Sequence, residues 1–199
     1  MTKKNNKHFG EIIESSLDHF KAQTWKWDNF PKFGSLIEVQ TDSRTLYGIV
    51  CQIQTGSLDS HRIPFAYQKT EEELKKEQPQ IFEYLQTIFT CICVGFKENN
   101  KIHYQIAPEP PKIHTFVQTA DRESYRQFFD IEHYLQIIFG NSLQISNIDE
   151  LLLAIIKTMS ENEIINEEKI LKFTQSYSLH TANDYRRLKL FLERLSHNL

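Results

Sequence analysis

Thr87-Ile-Phe-Thr-Cys-Ile-Cys-Val-Gly-Phe96 carries β-branched and aromatic residues at odd and even positions alike. A strand with one face on a core alternates apolar with polar, so apolarity at both parities predicts a central strand covered on two sides. The segments around it keep a period of two. In Gly34-Ser-Leu-Ile-Glu-Val-Gln-Thr41, Ile37, Val39 and Thr41 share one face, while Glu38 and Gln40 take the other. Asp42-Ser43-Arg44 is a turn, and Tyr47, Ile49, Cys51 and Ile53 carry the alternation on to Thr55-Gly56-Ser57, which predicts an antiparallel hairpin. Downstream, Glu98-Asn99-Asn100 is a further turn, Ile102, Tyr104 and Ile106 alternate with polar residues, and another strand follows Pro108-Glu-Pro-Pro111 at Ile113 to Gln118. About five or six strands are expected in this β-rich unit.

Both flanks read as helical. Upstream, Phe9, Ile12, Ile13, Leu17 and Phe20 fall on one helical stripe, with Glu11, Glu14, Asp18 and Lys21 elsewhere, predicting an N-terminal amphipathic helix. Beyond Ala120, helices are expected at Asp121 to Phe129 and Ile131 to Phe139, the second closed by a left-handed cap at Gly140-Asn141. Asn147-x-x-Glu150, Asn166 with Glu167 and Glu168, and Thr181-x-x-Asp184 mark three more helix starts, where capping oxygens and first-turn acids complement the dipole. Between the hairpin and the apolar run, Thr70-Glu-Glu-Glu73 has capping-box spacing and Pro79 interrupts the helix it begins.

Composition narrows the chemistry. The 199 residues are 40% hydrophobic, 25% charged and 12% aromatic with six Gly and six Pro, a globular balance. With 23 Lys and Arg against 26 Asp and Glu the net charge is −3, so no bulk positive field draws the molecule to nucleic acid. Cys51, Cys91 and Cys93 lie in apolar runs, as expected of buried thiols in a reducing, cytoplasmic setting. No apolar stretch approaches the roughly 18 residues that would cross a bilayer, and no membrane partner is expected. None of the glycines completes a P-loop, and Gly-x-Gly-x-x-Gly, Gly-x-Ser-x-Gly and His-Glu-x-x-His do not occur. The chain is therefore expected to have no catalytic residues, no cofactor and no metal. Cys91-x-Cys93 sets two thiols on one strand face, with His103 or His114 as conceivable further ligands. Apolar Ile92 and Val94 and the lack of a second Cys pair favour a packing role.

One loop stands out. Gly56 to Lys69 combines Arg62, Phe65, Tyr67 and Lys69, the residue types of an interface anchor or a base-stacking platform. The competing reading folds Ile63 and Phe65 onto the core. In the tail, Arg186, Arg187, Lys189 and Arg194 accompany Tyr185, Leu188, Leu192 and Leu195 at helical spacing, which reads as a solvated face rather than a basic groove. Trp25 and Trp27 read as packing residues.

Phe33-Gly-Ser-Leu-Ile37, Leu46-Tyr-Gly-Ile-Val50, Cys93-Val-Gly-Phe96 and Ile106-Ala-Pro-Glu-Pro-Pro111, in this order and with a charged insertion between the second and third, resemble the HAS-barrel domain found at the N-termini of HerA-type translocases. The resemblance covers roughly residues 30 to 120 and implies a small β-barrel that performs no catalysis but builds assemblies and docks partners. The motor domain of that family has no counterpart here: the residues after Ala120 lack its phosphate-binding Lys and acid. The expected architecture is thus α+β, with an N-terminal helix and lead-in over 1–29, a HAS-barrel-like domain of about five or six strands over 30–120, and a C-terminal helical unit over 121–199. The expected function is a non-catalytic interaction or oligomerisation module, accessory to a HerA-like motor or DNA-processing complex, with Arg62, Phe65, Tyr67 and Lys69 contacting a protein partner. The alternative is a single-stranded nucleic-acid binder using the barrel as OB-folds do.

Overall fold

The computed structural model describes residues 7–59, 61 and 64–198. Six strands close into an antiparallel barrel: β1 (Gly10–Ser15), β2 (His19–Thr24), β3 (Leu36–Gln40), β4 (Thr45–Ser57), β5 (Leu85–Glu98) and β7 (Phe116–Thr119), in the order β2-β1-β7-β3-β4-β5 with β5 returning to β2. Strand β6 (Lys101–His103) extends the sheet from the far end of β5. The fold is α+β, a closed barrel followed by helices α3 (Arg122–Phe128), α4 (Tyr134–Gly140), α5 (Ile148–Glu161), α6 (Glu167–His180) and α7 (Tyr185–Asn198).

The apolar run of β5 has two covered faces, as its composition requires. Phe89, Cys91, Cys93 and Phe96 fill the barrel with Phe20, Ala22, Ile37, Val39, Leu46, Val50 and Val117. Ile92 and Val94, joined by Leu36, Tyr47 and Ile49, instead lie beneath Tyr125, Phe128, Leu135, Leu152 and Ile155 of the helices. Register shifts between Tyr47 and Gly48 and between Val50 and Gln52 bend the β4–β5 pair, the curvature a small barrel needs to close. A buried hydrogen bond ties the two layers: the Leu36 N–H donates to the Tyr125 hydroxyl at 2.7 Å.

The stretch expected to be an N-terminal helix is the β1–β2 hairpin. Phe20, Ala22 and Thr24 alternate inward, and Leu17 sits 46% exposed at a turn where the Ser16 N–H donates to the His19 carbonyl at 2.9 Å. Helical spacing of Phe9, Ile12, Ile13, Leu17 and Phe20 was satisfied across a chain reversal. What selects the strand is a remote edge: Ile88 to Ile92 of β5 needs a partner, and His19 to Gln23 supplies it. Two helix-end expectations also change. Asn141 caps α4 at φ −98 rather than in the left-handed region, its side-chain amide reaching the Ile137 carbonyl at 3.0 Å. Thr181 ends α6, and Asp184 starts α7 by accepting the Arg187 N–H at 3.0 Å. Asn147 and Asn166 cap α5 and α6 as expected.

Candidate interaction surface

The β4–β5 ribbon runs out of the barrel. As far as Ile49, β4 lies between β3 and β5; from Gln52 to Ser57 only β5 remains beside it. The connection that follows carries α1 (Glu71–Glu77) and α2 (Gln80–Glu83), neither of which has a buried residue. Local chemistry makes these helices: Thr70 and Glu73 form the expected reciprocal capping box, with Glu71 to Glu73 in the first turn and Lys75 and Lys76 in the last. Phe82 holds the insertion to the barrel by stacking on Trp27, ring centroids 5.8 Å apart, and the Leu58 N–H closes the ribbon on the Tyr84 carbonyl at 2.8 Å.

Phe65 and Tyr67 stand together on this insertion, ring centroids 4.2 Å apart. Phe65 is 69% exposed, so it does not pack on the core as the competing reading required. The pair rims an open groove of about 510 Å³ whose other walls include His61, Ile81, Tyr84 and Leu85. A more polar groove of about 550 Å³, lined by Gln52, Gln54, Gln86, Thr90 and Lys21, meets it at Ser57 and Pro64. Lys69 is exposed and donates to Glu77, a hydrogen bond that raises its pKa. Lys21 donates to Glu14 at 2.9 Å, and Lys75 is paired with Glu71. The expected contact Arg62, like Ile63, lies outside the described residues. The groove wall from Ile81 to Leu85 is not among the expected contacts; its signal in the sequence is the apolar cluster Ile81, Phe82, Tyr84 and Leu85 just after Pro79.

The other candidate residues are occupied structurally. Cys91 and Cys93 point into the barrel, and burial pushes the Cys51 thiol up to about 11, Cys93 to about 12 and Cys91 well above its ordinary value, so all three stay protonated. His103 stacks on Phe96 and His114 faces Glu11, away from those thiols. Among the described residues no group of three or more His, Cys, Asp or Glu side chains could hold a metal ion. Arg187 clamps Asp149 through two hydrogen bonds of 2.8 and 3.1 Å, joined by the Tyr177 hydroxyl at 3.0 Å, and Arg194 bonds Glu150. These arginines tie α7 to α5. Trp25 is 45% exposed and packs edge-on against Phe116. Among the described residues no helix is long and apolar enough to cross a membrane. The sequence matches no protein-family model and no curated protein.

Proposed function

We propose that this chain is a non-catalytic barrel protein that works by association, docking a protein partner on the insertion between β4 and β5. The observation that carries the reading is the exposed Phe65 ring, paired with the half-buried Tyr67, on the rim of an open groove that Ile81, Tyr84 and Leu85 help to line. Folding gives little reason to leave the large Phe65 ring mostly in water, whereas an interface does, because aromatic side chains are the types that dominate interface energies. The likeness to the HAS-barrel domain supports an accessory role beside a HerA-like motor or DNA-processing complex, the reading under which assembly is the barrel's task. Acidic surroundings weigh against the nucleic-acid alternative: Glu71, Glu72, Glu73 and Glu77 line the insertion, and the Lys69 ammonium is already engaged by Glu77. Affinity for single strands comes from Lys and Arg that displace the counterions condensed on phosphate, and on the insertion Lys69 and Lys75 are already engaged by Glu77 and Glu71.

The test is the double variant Phe65→Ala with Tyr67→Ala. Thermal stability is expected to stay within about 1 kcal/mol of the parent, as at surface sites, while affinity for the partner recovered from native cells, measured by calorimetry, falls by about 2 kcal/mol or more. A large loss of stability with binding intact would make the insertion a lid on the barrel. Oligonucleotide affinity that drops steeply with salt would favour the alternative.

A further inference from the structure

Among the described residues, the stretch of β4 outside the barrel has one edge without a neighbour, and its hydrogen-bonding pattern follows from the ladder. The Leu58 N–H donates to the Tyr84 carbonyl at 2.8 Å, and the Thr90 carbonyl faces β4, where the Cys51 thiol reaches it at 3.5 Å. The Thr87 carbonyl faces the opposite way, taking the Thr24 hydroxyl at 3.3 Å. Directions alternate along an antiparallel ladder. Gln52 opposite Thr90, Gln54 opposite Ile88 and Gly56 opposite Gln86 are therefore the hydrogen-bonded pairs, and Ile53 and Thr55 aim their N–H and C=O groups away from β5. On that side β3 has ended. Its last links to β4 are the Gly34 N–H on the Val50 carbonyl at 2.9 Å and the Val50 N–H on the Ser35 carbonyl at 3.0 Å, after which the chain turns off. Among the described residues nothing bonds the outward groups of Ile53 and Thr55.

Free edges in monomeric proteins are commonly blunted by Lys, Pro or an inward-pointing charge. Cys51-Gln-Ile-Gln-Thr-Gly-Ser57 contains none of these. We propose that this edge pairs with the same edge of a second copy, antiparallel about a two-fold axis through Gln54. The inference rests on reading the chain as an association module and adds to it a self-pairing surface separate from the Phe65–Tyr67 pair. The register is self-complementary in three respects. Ile53 lies opposite Thr55 of the second copy on both sides of the axis, so the outward N–H and C=O groups of both residues are satisfied together. Gln54 meets its own copy on the exposed face, where each amide can donate and accept. Gln52 falls opposite Gly56, which leaves it room, and no like charges confront each other, which would oppose the pairing. Because the contact is isologous it closes at two copies and does not propagate into a fibre.

Sedimentation equilibrium on the full chain and four variants tests this. The parent is expected to show a monomer–dimer equilibrium. Thr55→Pro removes one outward N–H per copy without touching the β4–β5 ladder, and should weaken self-association roughly ten-fold or more. Thr55→Val loses the same hydroxyl contact to Thr87 (2.8 Å) but keeps the N–H, and should dimerise like the parent. At low salt, Gln54→Lys and Gln54→Glu should each dimerise several-fold more weakly than the parent, and mixing the two should restore the dimer as unlike charges meet across the axis. Gln54 is exposed, so this pair decides the matter if Thr55→Pro fails to fold. A parent that stays monomeric, a Thr55→Pro protein as dimeric as Thr55→Val, or a mixture no better than its components overturns the proposal. A monomeric parent that still binds its partner through Phe65 and Tyr67 overturns the edge pairing alone. A dimer that binds no partner overturns the loop reading alone.

Discussion

The two ends of the β4–β5 ribbon share strands and pairing yet differ in almost everything else. At the inner end, Leu46, Val50, Cys91 and Phe96 face the barrel interior while Tyr47, Ile49, Ile92 and Val94 face the helices, and all are buried. At the outer end, Gln52, Gln54 and Thr55 are exposed, and the two helices that follow bury no residue. Full burial of a Val- to Phe-sized side chain stabilises by about 1.5–3 kcal/mol, so the inner end carries much of the fold's stability and the outer end little. The lesson is one of attribution. Aromatic side chains at the inner end are explained by packing on the core; Phe65 at the outer end, 69% exposed, is not, and the proposed association would account for it.

Substitution at the inner end should therefore be costly, and Gly48 is the severest case. A Cβ there would sit 2.7 Å from the Phe20 ring and 2.9 Å from the Cys91 Cβ, in a barrel interior closed on all sides. Gly48→Val is expected to destabilise by about 3 kcal/mol, at the upper end of overpacked cores, read as a lower denaturant midpoint at unchanged slope. A loss below about 1 kcal/mol would mean that the Phe20 ring has somewhere to go and that the interior is looser than its burial implies. Next in size is Tyr125→Phe. It removes the acceptor of the buried Leu36 N–H, and stranding that donor should cost about 1–3 kcal/mol by calorimetry. An unchanged melting temperature would place a water in the hydroxyl's position and weaken the claim that barrel and helices are joined there.

The same contrast separates what could be read in the sequence from what could not. Strands β3 to β5 were legible because two-sided apolarity is a local signal with few alternatives. The caps at Thr70, Asn147 and Asn166 were legible because a capping oxygen needs only the next few residues. The β1–β2 hairpin was not, since the feature that makes it a strand is the free edge of β5, far along the chain. Gly34 is a second such case: φ is +81, and a Cβ would meet Ala154 of α5 at 2.7 Å, a contact no local pattern announces. At the candidate surface, the composition of the loop drew attention to Phe65, Tyr67 and Lys69, but not to the acid that engages Lys69. Nor could it disclose the Tyr84 wall, which depends on Phe82 being held by Trp27.

The smallest expected effect concerns acid. Asp18 sits where β2 meets β5, its carbonyl accepting the Cys93 N–H at 2.8 Å. Its carboxylate accepts from the Ser16 hydroxyl at 2.7 Å, lies 3.0 Å from the His19 ring nitrogen, and also accepts from the Gln144 amide. The Ser16 hydrogen bond, aided by His19 and Gln144, holds the carboxyl at about 2 against an ordinary 3.8. A depressed folded-state pKa means that the ionised form is the one the fold favours. The stabilisation is therefore present above the ordinary value and is lost as pH falls from about 4 towards about 2. The side chain is 36% exposed, so solvent screening should hold the contribution below about 1 kcal/mol. Asp18→Asn keeps the shape but cannot ionise. Its melting temperature should lie slightly below the parent's at neutral pH and converge with it through that acid window. A gap between Asp18→Asn and the parent that stays constant down to pH 2 would trace the effect to packing rather than charge, and the ribbon's two ends would then differ in burial alone.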